Sequence, residues 1–144
     1  MIYTKQTKLA MKICFRAHRD QVDKTGLPYV FHPFHLAEQM KDEETCTAAL
    51  LHDVCEDTPL TFEDLRREGI SERVIEALKL LTHDDSTPYL EYVARTKADP
   101  IARAVKLCDL HHNSDLTRLD VIDEKALARV EKYKAAIALL EREN

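Results

Sequence analysis

Apolar residues recur at helical spacing along most of the chain, and no segment alternates strictly over a strand's length. Leu9, Ile13 and Ala17 form a first stripe and predict a helix over roughly residues 4–22. Gly26 and Pro28 then punctuate a turn over 23–28. A short helix is expected from about His32-Pro33, because proline is tolerated in a first helical turn. Ala48, Ala49, Leu50 and Leu51 lie in a helix expected over roughly 43–55 and carry it into the core. Thr61-Phe62-Glu63-Asp64 reads as a capping-box start, with Gly69 as the stop. Ser71 caps a helix in which Val74, Ile75, Leu78 and Leu81 repeat. Thr87-Pro88 and Asp99-Pro100 each predict an N-cap followed by proline at the first helical position, and Ile101, Ala104, Val105 and Cys108 give the second of these an apolar stripe. A last helix from about Asp123 places Leu127, Val130, Tyr133, Ile137 and Leu140 on its apolar face. With no repeat, low-complexity tract or linker, the expectation is an all-α, compact multi-helix bundle forming one domain over 1–144.

Composition narrows the partners. Only 2 Gly and 5 Pro, with 33% charged residues, suit a helical chain of 144 residues that buries one core. A net charge of −5 offers no basic footprint, so neither nucleic acid nor a membrane is expected as a partner. Cys14, Cys46, Cys55 and Cys108 show no Cys-x-x-Cys spacing and read as free thiols, Cys55 and Cys108 as small core residues. No apolar run follows the N-terminus and none reaches membrane-spanning length, which points to a cytoplasmic protein.

The chemistry concentrates in Leu50-Leu51-His52-Asp53-Val54-Cys55-Glu56-Asp57-Thr58. On one continuous helix His52 stands above Glu56, and Asp53 above Asp57. Acids and an imidazole following an apolar run need compensation, since unpaired buried charge is costly, and a cation provides it. Further donors lie elsewhere: His32 where a turn becomes a helix, and Asp109 beside an apolar stripe with Asn113 one turn on. Lys24, with the Thr25 hydroxyl beside it, suits phosphate oxygens. His32, His52, Asp53 and Asp109 make a mixed nitrogen/oxygen set that fits Mn²⁺ or Fe²⁺, with Zn²⁺ or Co²⁺ also accommodated. An open position on such an ion lowers the pKa of water and polarises a phosphoryl oxygen. Glu56, not needed as a ligand, is left to orient that water or carry its proton, and Asp57 to assist or support the ligands. His18, His35, His83, His111 and His112 are expected at the surface or behind the ligands.

Four ordered motifs make the pattern specific: Ala17-His18-Arg19-Asp20-Gln21, Thr25-Gly26-Leu27-Pro28-Tyr29-Val30-Phe31-His32-Pro33, Ala49 to Thr58, and Val105 to Asn113. The chain resembles the HD superfamily of metal-dependent phosphohydrolases, and within it the hydrolase domain of the RelA/SpoT family and the small alarmone hydrolases. The resemblance implies Mn²⁺-dependent removal of the 3′-pyrophosphate from guanosine tetra- and pentaphosphate. It implies metal ligation by His32, His52, Asp53 and Asp109 and water activation by Glu56 and Asp57. It also sets Lys24, Asn113 and Tyr133 against a small phosphorylated nucleotide. No synthetase half is expected.

Two positions depart from that family's pattern. Asp23 stands where an arginine usually stacks on guanine, and Leu110 where the longer enzymes carry an arginine. Both leave the metal chemistry intact and loosen the base preference. The alternatives are a phosphohydrolase of another nucleotide, such as an adenine alarmone or a phosphorylated dinucleotide like NADPH, and a nucleotide sensor without turnover. The Glu56-Asp57 pair argues against the sensor, because a binder needs no proton carrier.

Overall fold

Helix α3 (Glu43–Leu51) is the axis around which the chain is built. In the computed structural model, which describes residues 1–142, it is buried continuously from Cys46 to Leu51. A helix apolar on all sides must be wrapped on all sides. Helices α1 (Lys5–Ala17), α2 (Phe31–Glu38), α6 (Glu72–Leu81) and α8 (Pro100–Asn113) do this. Two short helices, α4 (Val54–Asp57) and α5 (Phe62–Glu68), connect α3 to α6. Helix α7 (Tyr89–Thr96) and the long α9 (Glu124–Glu141) pack on the far side of α8, with a 3₁₀ turn at Leu116–Arg118 between α8 and α9. The described residues contain no strand, only an isolated bridge between Val22 and Pro28.

Local chemistry sets most helix ends. Thr61 and Asp64 close a reciprocal capping box, and Gly69 ends α5 at φ +110°, a left-handed value that favours glycine. Ser71 and Asp99 accept from the first turns of α6 and α8, and Pro100 opens α8. Elsewhere the boundaries differ from the sequence expectation. Helix α1 stops at Ala17, not near residue 22, because the chain turns at His18 into a loop. Pro88, not Thr87, is the N-cap of α7 and makes no side-chain cap. In α8 the buried positions are Ile101, Ala102, Val105, Asp109 and Leu110, while Ala104 is exposed. In α9 Leu127 is 49% exposed, and the inward stripe is Ala126, Val130, Ala136 and Leu140.

The apolar interior has two parts. The larger gathers α1, α2, α3 and α6 with Ile101, Ala102 and Val105. The smaller holds Tyr92, Val93, Leu110, Ala136 and Leu140. Leu110 is fully buried there, which is why no cation stands at that position. Helix α8 belongs to both parts, and Asp109 lies where it passes from one to the other.

Candidate functional site

The helix expected over 43–55 is broken at its most important point. Helix α3 ends at Leu51, Asp53 adopts φ −107° and ψ 0°, and α4 restarts at Val54. Asp53 thus occupies the sparsely populated bridge region where active-site residues are often found. The break aims His52 and its neighbour Asp53 at one point, with His52 Nε2 3.0 Å from Asp53 Oδ2. The expected stacking of His52 over Glu56 on one helix is therefore replaced by this turn. Asp53 and Asp57 do stay one turn apart, joined by the Asp57 N–H to the Asp53 carbonyl at 2.9 Å.

Two further elements complete the cluster. His32, in the first turn of α2, puts Nε2 2.8 Å from Asp109 Oδ1 of α8, and His52 Nε2 lies 3.6 Å from the same oxygen. His32, His52 and Asp109 are all buried and offer ligand atoms within 4.8 Å of one another, a group that can hold a divalent metal ion. Asp53 joins them through His52.

Ala49 O, one of the orphan carbonyls at the end of α3, can only accept, so the 2.7 Å contact places the His52 proton on Nδ1. The Nε2 lone pair then faces two carboxylate oxygens, and this buried atom makes no hydrogen bond. Lone pairs converging in a buried space suit a cation, so the donor set fits the metal its residue types imply. Without one, the competing charges act on a proton: burial lowers the His52 pKa, but Asp53 and Asp109 raise it well above the usual imidazole value.

The carboxylates fall into two classes. Burial would raise Asp109, yet Lys106, then His32 and His52, hold it well below the usual range. Asp53 is lowered in the same way by His52 and by the Tyr29 hydroxyl, which donates to Asp53 Oδ2. Glu56 and Asp57 instead shift upward, Glu56 chiefly through burial and Asp57 through burial and then Asp53. Glu56 Oε1 accepts from the backbone N–H of His83 at 2.6 Å, which ties α4 to the loop after α6. Asp53, Glu56 and Asp57 form a second acidic group adjoining the first.

A cavity of about 350 Å³ opens beside His32 and Tyr29. Lys24, Asn113 and Tyr133, the three residues expected near a nucleotide, all line it. Glu56 and Asp57 do not. Arg118 and Arg129 add positive charge to the wall. Burial, then Arg129 and Lys132, lowers the Lys24 pKa, so these cations crowd one another. Asp23 lines the cavity too, but its carboxylate closes its own loop. Asp23 Oδ1 accepts from Thr25 N–H, the Thr25 hydroxyl and Leu27 N–H at 2.8, 2.7 and 3.1 Å, and Oδ2 stands 3.8 Å from Arg118.

Several residues around the site carry no clear sequence signal. His83 acts through its backbone, so its side-chain type is irrelevant. Lys106 and His112 share one face of α8 with Asp109 and Asn113, but the sequence does not distinguish His112 from His111. Lys106 pairs with Asp109 Oδ2 at 3.0 Å, and His112 Nδ1 lies 2.7 Å from His32 Nδ1. The second contact, and burial of the first, depend on which helix arrives opposite. His18 is buried, with Nδ1 2.8 Å from Gln21 Oε1, while Gln21 Nε2 donates to the Asp57 carbonyl. The cysteines are free thiols; burial pushes Cys14 up to about 12 and Cys55 up to about 11, as suits packing residues.

Comparison with known proteins agrees with this arrangement. The chain is 32% identical over 144 residues to a guanosine-3′,5′-bis(diphosphate) 3′-pyrophosphohydrolase of Aquifex aeolicus, an alignment covering 92% of this chain and 19% of that protein. It is 32% identical over 125 residues to the bifunctional (p)ppGpp synthase/hydrolase SpoT of Escherichia coli K12, covering 76% of this chain and 18% of the relative. The chain belongs to the RelA/SpoT-type HD hydrolase domains. It spans about a fifth of the length of these curated relatives. A solved structure of a metazoan ortholog of SpoT, described as hydrolysing ppGpp, shares the fold of this HD domain. Its TM-score is 0.80 at 23% identity, over 100% of this chain and 90% of the other. No protein-family model matches the chain. No described helix of this HD domain is long and apolar enough to cross a membrane.

Proposed function

We propose that this HD domain hydrolyses the 3′-pyrophosphate of guanosine tetra- or pentaphosphate with a divalent metal, releasing pyrophosphate in the cytoplasm. The observation that carries the reading is the juxtaposition of the His32–His52–Asp109 group with a cation-lined cavity on one hand and the Asp53–Glu56–Asp57 group on the other. His32, His52, Asp53 and Asp109 hold the metal, and the mixed imidazole and carboxylate set favours Mn²⁺. A bound divalent ion supplies charge stabilisation at a phosphoryl oxygen and acidifies water.

The chain's own residues do the rest. Their environments push the four acids apart: His and Lys partners hold Asp53 and Asp109 down, while burial raises Glu56 and Asp57. Glu56, held by His83 N–H through one oxygen, keeps its other oxygen for orienting water and taking its proton. Asp57 assists. Lys24 neutralises phosphate charge within the cavity, Asn113 hydrogen-bonds near the ribose, and Tyr133 packs on the nucleotide. Lys24 and Arg129, both on the cavity wall, favour a ligand with a second anionic group beyond the scissile one. A bis-phosphorylated nucleotide supplies that group.

A second reading, an HD phosphohydrolase of another bis-phosphorylated nucleotide, is favoured by Asp23, whose charge is committed to its loop and Arg118 and which provides no stacking surface. One experiment separates the two. Purified protein is analysed for bound metal, then assayed with Mn²⁺ against guanine and adenine 3′-pyrophosphates and NADPH, scoring pyrophosphate and phosphate separately. Pyrophosphate from guanosine tetraphosphate supports the first reading. Phosphate release from another nucleotide alone moves the function to the second.

A further inference from the structure

We propose that His112 is a positioning residue for the metal centre: its Nδ1 accepts the Nδ1–H of His32 and thereby leaves His32 Nε2 bare toward the ion. The inference rests on the metal-site reading above and adds a residue to it.

The two Nδ1 atoms are 2.7 Å apart, a hydrogen-bond distance that accommodates one proton. The ring planes differ by only 9°, with centroids 4.9 Å apart. That centroid separation exceeds the N–N distance by almost the full sum of the two ring radii, so the rings meet edge to edge, lone pair against N–H. A neutral imidazole has one donor and one acceptor nitrogen. If His32 Nε2 faces a cation it carries no proton, and its single N–H must be at Nδ1. His112 Nδ1 must then be the acceptor, with the His112 proton on Nε2. In the ion-free protein the 2.8 Å contact of His32 Nε2 with Asp109 Oδ1 calls for Nε2–H, and the bond between the rings runs the other way. On metal binding the pair would exchange donor and acceptor, each ring keeping one proton but carrying it on its other nitrogen.

Three contacts keep the His112 ring in place for this task. His35 stacks on it with centroids 4.1 Å apart, Arg118 Nη1 donates to its backbone carbonyl at 2.9 Å, and helix α8 fixes its position one turn beyond Asp109. Metal-bound imidazoles ordinarily donate their second nitrogen to a carboxylate, carbonyl or water. Here an imidazole supplies the acceptor through its bare nitrogen.

The test is Mn²⁺ affinity, read from the electron paramagnetic resonance of the free ion, without nucleotide. His112→Phe keeps a ring and removes the acceptor, and should weaken Mn²⁺ binding about 10–100-fold, the usual worth of such a partner. His112→Asn restores an acceptor oxygen and should recover most of that loss, while His111→Phe, one position away and exposed, should change nothing. His112→Ala serves if the phenylalanine variant fails to fold by circular dichroism. In ¹⁵N spectra of protein loaded with diamagnetic Zn²⁺, His112 should show a bare Nδ1 and a protonated Nε2. Parent-like affinity in folded His112→Phe or Ala, or a protonated His112 Nδ1 in the Zn²⁺ form, overturns the proposal. If His52→Ala abolishes Mn²⁺ binding in that same experiment, the metal site stands and only the role of His112 falls. Absence of Mn²⁺ binding in the parent overturns both.

Discussion

Lys106 and Asp109 stand one turn apart on α8 and divide the aspartate's work: Nζ holds Oδ2 at 3.0 Å while Oδ1 turns to His32 and Asn113. The ammonium is itself sunk among aromatic rings, 5.1 Å from the Tyr92 centroid, and Asp109 keeps it charged against the effect of burial. Lys106→Met should strip Asp109 Oδ2 of its buried cation and destabilise the fold by about 3–5 kcal/mol. The loss should be smaller with Mn²⁺ present than with chelator, because the ion replaces part of the missing charge. Urea denaturation under both conditions measures the difference.

Loss of a ligand should differ in kind. Asp53→Ala or His52→Ala should remove metal and hydrolysis together, and elemental analysis of both variants checks it. Full occupancy in either would remove that residue from the ligand set.

Glu56→Gln should keep the metal but lose about 10²–10⁴ in turnover, since an amide cannot exchange a proton. The same assay run against pH tests the parent. Burial raises the Glu56 pKa, and a base works only when ionised, so the acidic limb of kcat should fall at a pH above the usual glutamate value. A profile without that limb in the parent would assign the proton to another group.

Asp23→Arg, which on sequence grounds should add a stacking surface for guanine, also removes the acceptor of three hydrogen bonds and the carboxylate facing Arg118. We expect a stability loss of about 1.5–3 kcal/mol, as for bonds to a charged group. The parent should discriminate guanine from adenine 3′-pyrophosphates weakly. Steady-state kinetics of both nucleotides with both proteins decide it, and strong guanine preference in the parent would assign base reading to another residue.

Asp99 caps α8 through the N–H groups of Ile101 and Ala102 and forms a two-pronged pair with Arg73 at 2.7 and 3.0 Å. Asp99→Ala should cost about 1 kcal/mol. Burial alone would raise its pKa, but Arg73 and the two amides bring it below the unfolded value. The unfolded chain then binds the proton more readily, so this contribution is complete above the unfolded pKa and fades as pH falls through the folded one. Thermal melts of parent and variant between about pH 6 and pH 3 should converge at the acid end.

What could be read from the residues alone follows the range of the interaction involved. Ser71, Asp99-Pro100, Gly69 and the Thr61–Asp64 box mark helix ends correctly because capping is settled within four residues. Of the four residues named as ligands, His32, His52 and Asp109 form one group, and Asp53 adjoins it through His52. The break at His52-Asp53 left no trace, for neither glycine nor proline marks it. Leu127 faces outward because Ala126 and Ala136 share the inward stripe with Val130 and Leu140, and size alone does not identify small residues as the buried ones. His111 and His112 are indistinguishable until α2 is seen to lie against only one of them.

The division of the interior at α8 has an evolutionary consequence. His32, His52 and Asp53 hang from helices of the larger core, whereas Arg129 and Tyr133 belong to α9, which rests on the smaller one. Exchanges at Arg129 and Tyr133 should therefore reshape one wall of the cavity while the His32–His52–Asp109 group keeps its geometry. Selection acting on α9 is thereby uncoupled from selection acting on the ligand group.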